Sequence, residues 1–188
     1  MRRVRIVSLA IVVVVTAWTV TTACKSGGAR PSPSPSLTLS APSPTVSQAP
    51  GVAAIQGAVA AYRNMWTAYD AAIQVPDPND PNLAKYSTGD ALHTLVSGLQ
   101  SVKDQGLKGT GNVVNAPQVT QLSPSDAPTQ VSIKDCMDTS QSHLVRNGPG
   151  PAYSDSPGGH RLTLADVRRQ DDGSWKVASF GVRGVGTC

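Results

Sequence analysis

The sequence predicts an α+β domain in which two or more N-terminal helices pack on one face of an antiparallel sheet. Two segments with apolar residues at steps of three or four come first, within residues 52–73 and 92–102. Four segments with alternating or β-branched residues follow between residues 112 and 183. Helices followed by a run of strands are typical of α+β architectures.

The leader, residues 1–23, has the pattern of a lipoprotein-type signal peptide. Three arginines within the first five residues precede a short apolar stretch, and Ala23 lies directly before Cys24. The last two positions of Thr21-Thr22-Ala23-Cys24 resemble the lipobox of bacterial lipoproteins, although Thr21 stands where that motif usually has leucine. We therefore expect a lipid such as palmitate on Cys24, which anchors the chain to the extracellular face of the bacterial cell membrane. An uncleaved membrane helix and cleavage without lipid are the alternatives.

Residues 24–50 predict a disordered linker. Serine and proline alternate from Pro31 to Ser36, and bulky apolar residues are almost missing. Such a composition buries too little apolar surface to offset the entropy of ordering. The globular domain is therefore expected over residues 51–188.

Two helices are predicted at the start of this domain. The first ends before Pro76, and its apolar stripe consists of Val52, Ile55, Val59, Tyr62, Trp66, Tyr69 and Ile73. The second can be capped by Ser87 or Thr88 and ends at Gly106 and Gly109, and its stripe consists of Leu92, Leu95, Val96, Leu99 and Val102.

Strands follow the helices. A tight turn at Asp171-Asp172-Gly173 joins the last two, since glycine accepts the positive φ that such turns require. A glycine- and proline-rich loop is expected over residues 147–160. The predicted strands span residues 112–122, 129–138, 161–169 and 174–183.

A family resemblance supports the same architecture. The order of elements, the helix segment 61–66 (AYRNMW) and the last-strand segment 173–177 (GSWKV) resemble the NTF2-like superfamily, and within it small exported lipoproteins of Gram-positive bacteria. The resemblance implies a curved sheet that wraps a long helix into a cone with an internal pocket. It also implies two further options: acid/base catalysis by an Asp or a His, and a homodimer formed through the outer sheet face, where Gln130, Ser132 and Lys134 leave the question open.

Three cysteines are present, and the leader accounts for Cys24. We expect Cys136 and Cys188 to form a disulfide, because an exported chain matures in an oxidising compartment. The alternatives are a nucleophilic cysteine and a zinc site. A nucleophile needs a base or a helix N-terminus to form the thiolate, and neither is visible beside Cys136. Two cysteines far apart without a histidine cluster do not make a structural zinc site. No spacing indicates a metal site or a phosphate loop, so no cofactor is predicted.

The charge pattern argues against nucleic acid as a partner. Removal of the three leader arginines leaves 13 basic residues against 12 acidic ones. The remaining basic residues are scattered, whereas nucleic-acid binding usually needs a clustered basic face.

Asp135 is the one weak candidate for catalysis. Strand alternation places it on the face of Val131 and Ile133, where desolvation would raise its pKa. Tyr62 and Tyr69 are expected to line the same pocket. Alternatively, Asp135 lies at a strand bulge and only binds backbone groups or an arginine such as Arg63. Glutamate is absent, and the other titratable candidates are Asp70, His93, Asp138, His143 and His160.

Two functions follow from these observations. The favoured one is a non-catalytic binding or interaction module at the cell surface, with a small ligand or a protein as its partner. The alternative is a pocket enzyme that performs acid/base chemistry on a small apolar substrate.

Overall fold

The computed structural model describes residues 49–188. The predicted signal peptide over residues 1–23, the lipidation site Cys24 and nearly all of the linker over 24–50 lie outside the described residues. Within residues 49–188, none of the helices has both the length and the apolar character needed to cross a membrane.

Three helices begin the domain: α1 (Pro50–Gln74), α2 (Pro81–Tyr86) and α3 (Gly89–Asp104). The sequence predicts α1 and α3, and the structure confirms both. The short α2 is additional, and its start signal is local: Pro81 occupies the first turn, and the Asp80 side chain accepts a hydrogen bond of 2.8 Å from the Asn82 N–H. Thr88 is the N-cap of α3 but makes no capping hydrogen bond with its side chain.

The buried face of α1 is displaced from the predicted stripe. Val52 is 46% exposed, whereas Tyr62 and Trp66 are buried as expected. Small residues allow the helix backbone to approach its neighbours closely, and the indole of Trp175 lies directly against Gly57. The small residues buried on this face are Ala54, Ala58, Ala61, Ala68 and Ala72.

Six strands form two antiparallel sheets. The two-stranded sheet pairs β1 (Leu107–Thr110) with β4 (His143–Arg146). The four-stranded sheet has the order β2-β3-β5-β6 and consists of β2 (Gln118–Ser123), β3 (Gln130–Asp138), β5 (His160–Arg169) and β6 (Trp175–Val185). Helices followed by an antiparallel sheet confirm the predicted α+β class.

The two-stranded sheet corrects the sequence prediction. Gly109 does not end the second helix but lies within β1, where a side chain would collide with Ile73 of α1. The predicted strand over 112–122 begins only at Gln118. The glycine-rich loop before β5 and the turn at Gly173, with φ at +83°, are as predicted.

One core fills the space between the helices and the inner face of the four-stranded sheet. Leu95 and Leu99 of α3 contribute to it beside the buried face of α1. The strands contribute the buried side chains of Val131, Ile133, Met137, Ala165, Val167 and Val177.

The C-terminus is attached to the outer face of the sheet. The sulfur atoms of Cys136 and Cys188 lie at disulfide distance, with 5.7 Å between the two Cα atoms. Two hydrogen bonds hold the same segment: the Leu162 N–H donates to Thr187 Oγ1 over 2.9 Å, and the Gly186 N–H donates to the His160 carbonyl over 2.8 Å.

Candidate functional site

Asp135 lies on the inner face of β3, as strand alternation predicts, and is only 1% exposed. Its Oδ2 accepts hydrogen bonds from the Tyr62 hydroxyl over 2.9 Å and from Asn115 Nδ2 over 3.3 Å. Its Oδ1 accepts one from the Ala116 N–H over 2.8 Å. One carboxyl group therefore joins α1, β3 and the segment that precedes β2.

Two details of the expectation for Asp135 need correction. The residue does not lie at a bulge, because the register between β3 and β5 is regular and sets Asp135 opposite Thr163. Among the described residues, its hydrogen-bond partners do not include Arg63, whose side chain is exposed. A backbone N–H, from Ala116, is one of the actual donors.

Further polar atoms surround the Tyr62 hydroxyl. The pKa of Tyr62 is raised far above its usual value, by burial first and then by the charge of Asp135, while Trp66 and Thr163 act in the opposite direction. Within the described part of the chain, Trp66 Nε1 and Thr163 Oγ1 are buried without a hydrogen-bond partner. Because its pKa is raised, Tyr62 stays a neutral hydrogen-bond donor.

The closure of this cluster limits its chemistry. A general acid or base must reach the proton that it transfers, directly or through one water molecule. The side chains of Tyr62 and Thr163 are fully buried, and Asp135 is nearly so. In this conformation the three residues stabilise the contact between helix and sheet and meet no substrate.

A cavity of about 330 Å³, which we call the aromatic cavity, lies farther along α1. Trp66 separates it from the buried cluster and packs edge-to-face on Tyr69 and Phe180, with ring centroids 6.1 Å and 5.3 Å away. Of the three predicted pocket residues, only Tyr69 lines this cavity, whereas Tyr62 and Asp135 lie deeper. Its wall consists of Trp66, Tyr69, Thr94, Leu95, Gly98, Val113, Met137, Thr139, Arg161, Phe180 and Val182.

Asp70 is the second buried carboxyl group, with 8% exposure. It accepts a hydrogen bond of 3.1 Å from the Val113 N–H. Burial raises the pKa of Asp70 to about 6, although this hydrogen bond acts in the opposite direction. The pKa of the neighbouring Tyr69 is also raised, by burial and then by the charge of Asp70.

The remaining candidates lie at or near the surface, and among them Asp138 and His160 are opposite each other in the register of β3 and β5. His93, His143 and His160 are exposed, and His143 Nδ1 lies 3.8 Å from the nearer carboxylate oxygen of Asp155. Asp138 is partly exposed at the end of β3. Within residues 49–188, no three His, Cys, Asp or Glu side chains come close enough to hold a metal ion.

Sequence reasoning missed most of the aromatic cavity. Arg161 was open to prediction, since it alternates with the inward-facing Thr163 and must share its face of β5. Phe180 and Val182 were harder to place, because β5 and β6 shift register between Asp166 and Val167 and again near Arg161.

Comparison with known proteins supports the fold and nothing finer. No family model and no curated protein matches the chain. Among solved structures, the chain is similar to the intermembrane space region of the chloroplast protein ARC6, with a TM-score of 0.52, 15% identity, and coverage of 69% of this chain and 95% of that one. It is also similar to a ketosteroid isomerase-like protein from Erwinia carotovora atroseptica, with a TM-score of 0.40, 15% identity, and coverage of 66% and 91%. The second value is too low to carry an argument, whereas the first shows a shared fold. That fold is an α+β domain in which helices are followed by an antiparallel sheet.

Truncation of the buried cluster tests its structural role. We expect Asp135→Ala to lower the free energy of unfolding by about 3 kcal/mol or more, because three donors lose their acceptor. Tyr62→Phe should cost less, about 1.5–2 kcal/mol, since it leaves the other two hydrogen bonds in place. Urea unfolding followed by circular dichroism measures both changes. Equal stability of Asp135→Ala and the wild type would show that the cluster does not hold the fold.

The pKa of Asp70 predicts a dependence of stability on pH. The folded state binds a proton more tightly than the unfolded state, so stability falls as the pH rises from about 4 to about 6 and stays lowered above that. Asp70→Asn keeps an acceptor for the Val113 N–H and does not titrate. At pH 7.5 we expect it to be more stable than the wild type by about 1 kcal/mol after allowance for solvent screening, and the gain should vanish near pH 4.

Asp138→Asn is the matched control for this experiment. Hydrogen bonds from Ser140 lower the pKa of Asp138. Removal of this carboxylate should therefore decrease stability at neutral pH, whereas Asp70→Asn should increase it. Thermal unfolding at pH values from 4 to 8 compares the three proteins. A gain in Asp70→Asn that does not change with pH would contradict the prediction.

Proposed function

We propose that this protein is an extracytoplasmic lipoprotein whose domain is a non-catalytic binding module. A lipid on Cys24 anchors it to the extracellular face of the bacterial cell membrane, and the linker separates the domain from the lipid surface. The aromatic cavity is its ligand site.

The proposed location is supported by the leader and by the cysteines. The first 23 residues have the charge, apolar stretch and small residues of a cleaved signal. Cys136 and Cys188 lie at disulfide distance, and stable disulfides are typical of exported proteins.

The composition of the aromatic cavity favours binding over catalysis, and this observation carries the proposal. Among residues 49–188, its wall contains no carboxyl group and no imidazole, the groups that most often transfer protons. Asp135, the strongest catalytic candidate in the sequence, lies behind Tyr62 with its hydrogen bonds satisfied. An apolar concave wall with few polar groups is typical of small-molecule sites.

One observation keeps the enzyme alternative open. Asp70 has a pKa of about 6 and lines a second cavity of about 510 Å³, together with Thr67 and Val113. A carboxyl group with such a pKa is suited to proton transfer near neutral pH. In that case Asp70, and not Asp135, is the acid or base.

A homodimer formed through the outer sheet face stays a prediction. This face carries a hydrogen bond of 2.8 Å from the Ser132 hydroxyl to Asp166 and a 45% exposed Leu164. Its mixture of polar and apolar groups favours neither a monomer nor a dimer.

Lipidation is tested on the intact protein isolated from a Gram-positive host. We expect mass spectrometry to find an N-terminal acylated Cys24 and no leader. Cys24→Ala should lose the acyl mass, and Thr21→Leu should raise the processed fraction, because it restores the residue usual in the lipobox. A wild-type chain that retains Met1, or one that begins at an unmodified residue, would contradict the proposal.

Ligand binding is tested with a neutral apolar dye, N-phenyl-1-naphthylamine, on the full chain in nanodiscs. In Gly98→Leu the new side chain enters the aromatic cavity, since even a Cβ at this position lies 3.2 Å from the Tyr69 hydroxyl. We expect dye affinity to fall about tenfold, which corresponds to the loss of about two buried methylene groups. Gly184→Leu is the matched control, because a Cβ there meets no atom within 4 Å. Equal dye binding by both variants would place the site elsewhere.

A further inference from the structure

Among the residues that the structure describes, Arg161 is the single charged one in the wall of the aromatic cavity. It lies near the start of β5, on the inner face that Thr163 and Ala165 also occupy, and it is partly exposed. The inner face of this sheet is otherwise mostly apolar. A permanently charged guanidinium at this position therefore requires a physical reason.

The contacts of Arg161 within the fold are weak. Its Nε donates to Thr139 Oγ1 over 3.4 Å and its Nη1 donates to the Arg183 carbonyl over 3.4 Å, both longer than an ordinary hydrogen bond. Among the described residues, no carboxylate oxygen lies within 4 Å of the guanidinium. A guanidinium has five N–H donors arranged as a fork that fits a carboxylate. Most of that capacity is unused.

We propose that the aromatic cavity binds a monocarboxylate with a hydrocarbon chain, such as a medium-chain fatty acid. The carboxylate pairs with Arg161 at the rim, and the chain lies against Trp66, Met137 and Phe180. This inference rests on the proposed function, since it names the ligand class of the same cavity. Arg161 is the residue that determines specificity.

The wall favours a hydrocarbon body over a peptide. Apart from Arg161, the described wall residues contribute as polar side-chain groups the hydroxyls of Tyr69, Thr94 and Thr139 and the indole N–H of Trp66, whose Nε1 is buried. A peptide would bring amide groups that need partners, and each unpaired amide costs about 1–3 kcal/mol. A hydrocarbon chain needs none, and its burial is favourable. A volume of about 330 Å³ is at the small end of ligand sites, which suits a chain of medium length.

Octanoate and 1-octanol are the matched probes, because they share a chain and differ in the charged group. Equilibrium dialysis with radiolabelled probe measures their binding to the full chain in phosphatidylcholine nanodiscs, after subtraction of empty nanodiscs. We expect Arg161→Gln to weaken octanoate binding about tenfold and to leave 1-octanol binding within about twofold. The octanoate affinity of Arg161→Lys should lie between that of the wild type and that of Arg161→Gln, because an ammonium keeps the charge but lacks the forked set of donors.

The outcomes separate this inference from the proposed function. If Arg161→Gln binds octanoate as well as the wild type does, the role of Arg161 is wrong, while dye binding still supports a cavity ligand. If neither probe nor the dye responds to Gly98→Leu, both proposals fail. If a short apolar peptide with a free C-terminal carboxylate binds more tightly than octanoate, the ligand is a peptide and the hydrocarbon assignment is overturned.

Discussion

The position of the long helix on the sheet depends on one buried carboxyl group. Asp135 accepts hydrogen bonds from Tyr62, 73 residues earlier in the chain, and from the segment at Asn115 and Ala116, about 20 residues earlier. A buried carboxyl group without hydrogen-bond partners is strongly unfavourable. A shift or rotation of α1 on the sheet would break the hydrogen bond from Tyr62 and is therefore disfavoured. The next inward residue of β3, Met137, then falls in the wall of the aromatic cavity. A polar contact in the core thus fixes the register of an apolar site.

The sequence shows which face of a strand or helix is buried better than it shows which other segment that face contacts. Alternation of Val131, Ile133 and Asp135 is a local property of one strand, and it is enough to place the carboxyl group inside. The donors from residues 115–116 belong to a segment that the sequence predicts to be a strand. In the structure, tertiary contacts hold this segment against β3. The β1–β4 pair was missed for a similar reason, because each strand has four residues and its partner lies more than 30 residues away. The buried face of α1 differs from the predicted stripe because it contains several alanines. Alanine stands out little in a hydrophobicity pattern, yet it permits the closest approach of the helix to its neighbours.

Catalysis in a pocket needs a titratable group that lies in an accessible cavity, and the structure keeps the buried carboxyl cluster and the cavity apart. The titratable cluster around Asp135 is closed, whereas the cavity beside it is accessible, and among the described residues its wall contributes neither a carboxyl group nor an imidazole. Trp66 stands between them, with its ring against Tyr69 and Phe180 on the cavity side. Its Nε1 is buried without a partner among the described residues. The indole therefore lies between Tyr62 of the buried cluster and the cavity, to which it contributes an aromatic wall.

The cysteine pair explains how a cavity at the end of an edge strand keeps its shape. β6 pairs with a neighbouring strand on one side only, and every residue from Gly181 to the C-terminus is exposed. Such a strand end would fray readily, because few buried contacts oppose its opening. Cys136 lies on the outer face of β3 directly before Met137, and its contact with Cys188 ties the chain end that follows Val182. In the chain-entropy model, a cross-link that closes a loop of this length raises the free energy of the unfolded chain by roughly 4 kcal/mol. The same cross-link opposes local fraying of the strand end. The contact between the two cysteines lies outside the cavity, yet it joins the strand that carries Met137 to the chain end that follows Val182.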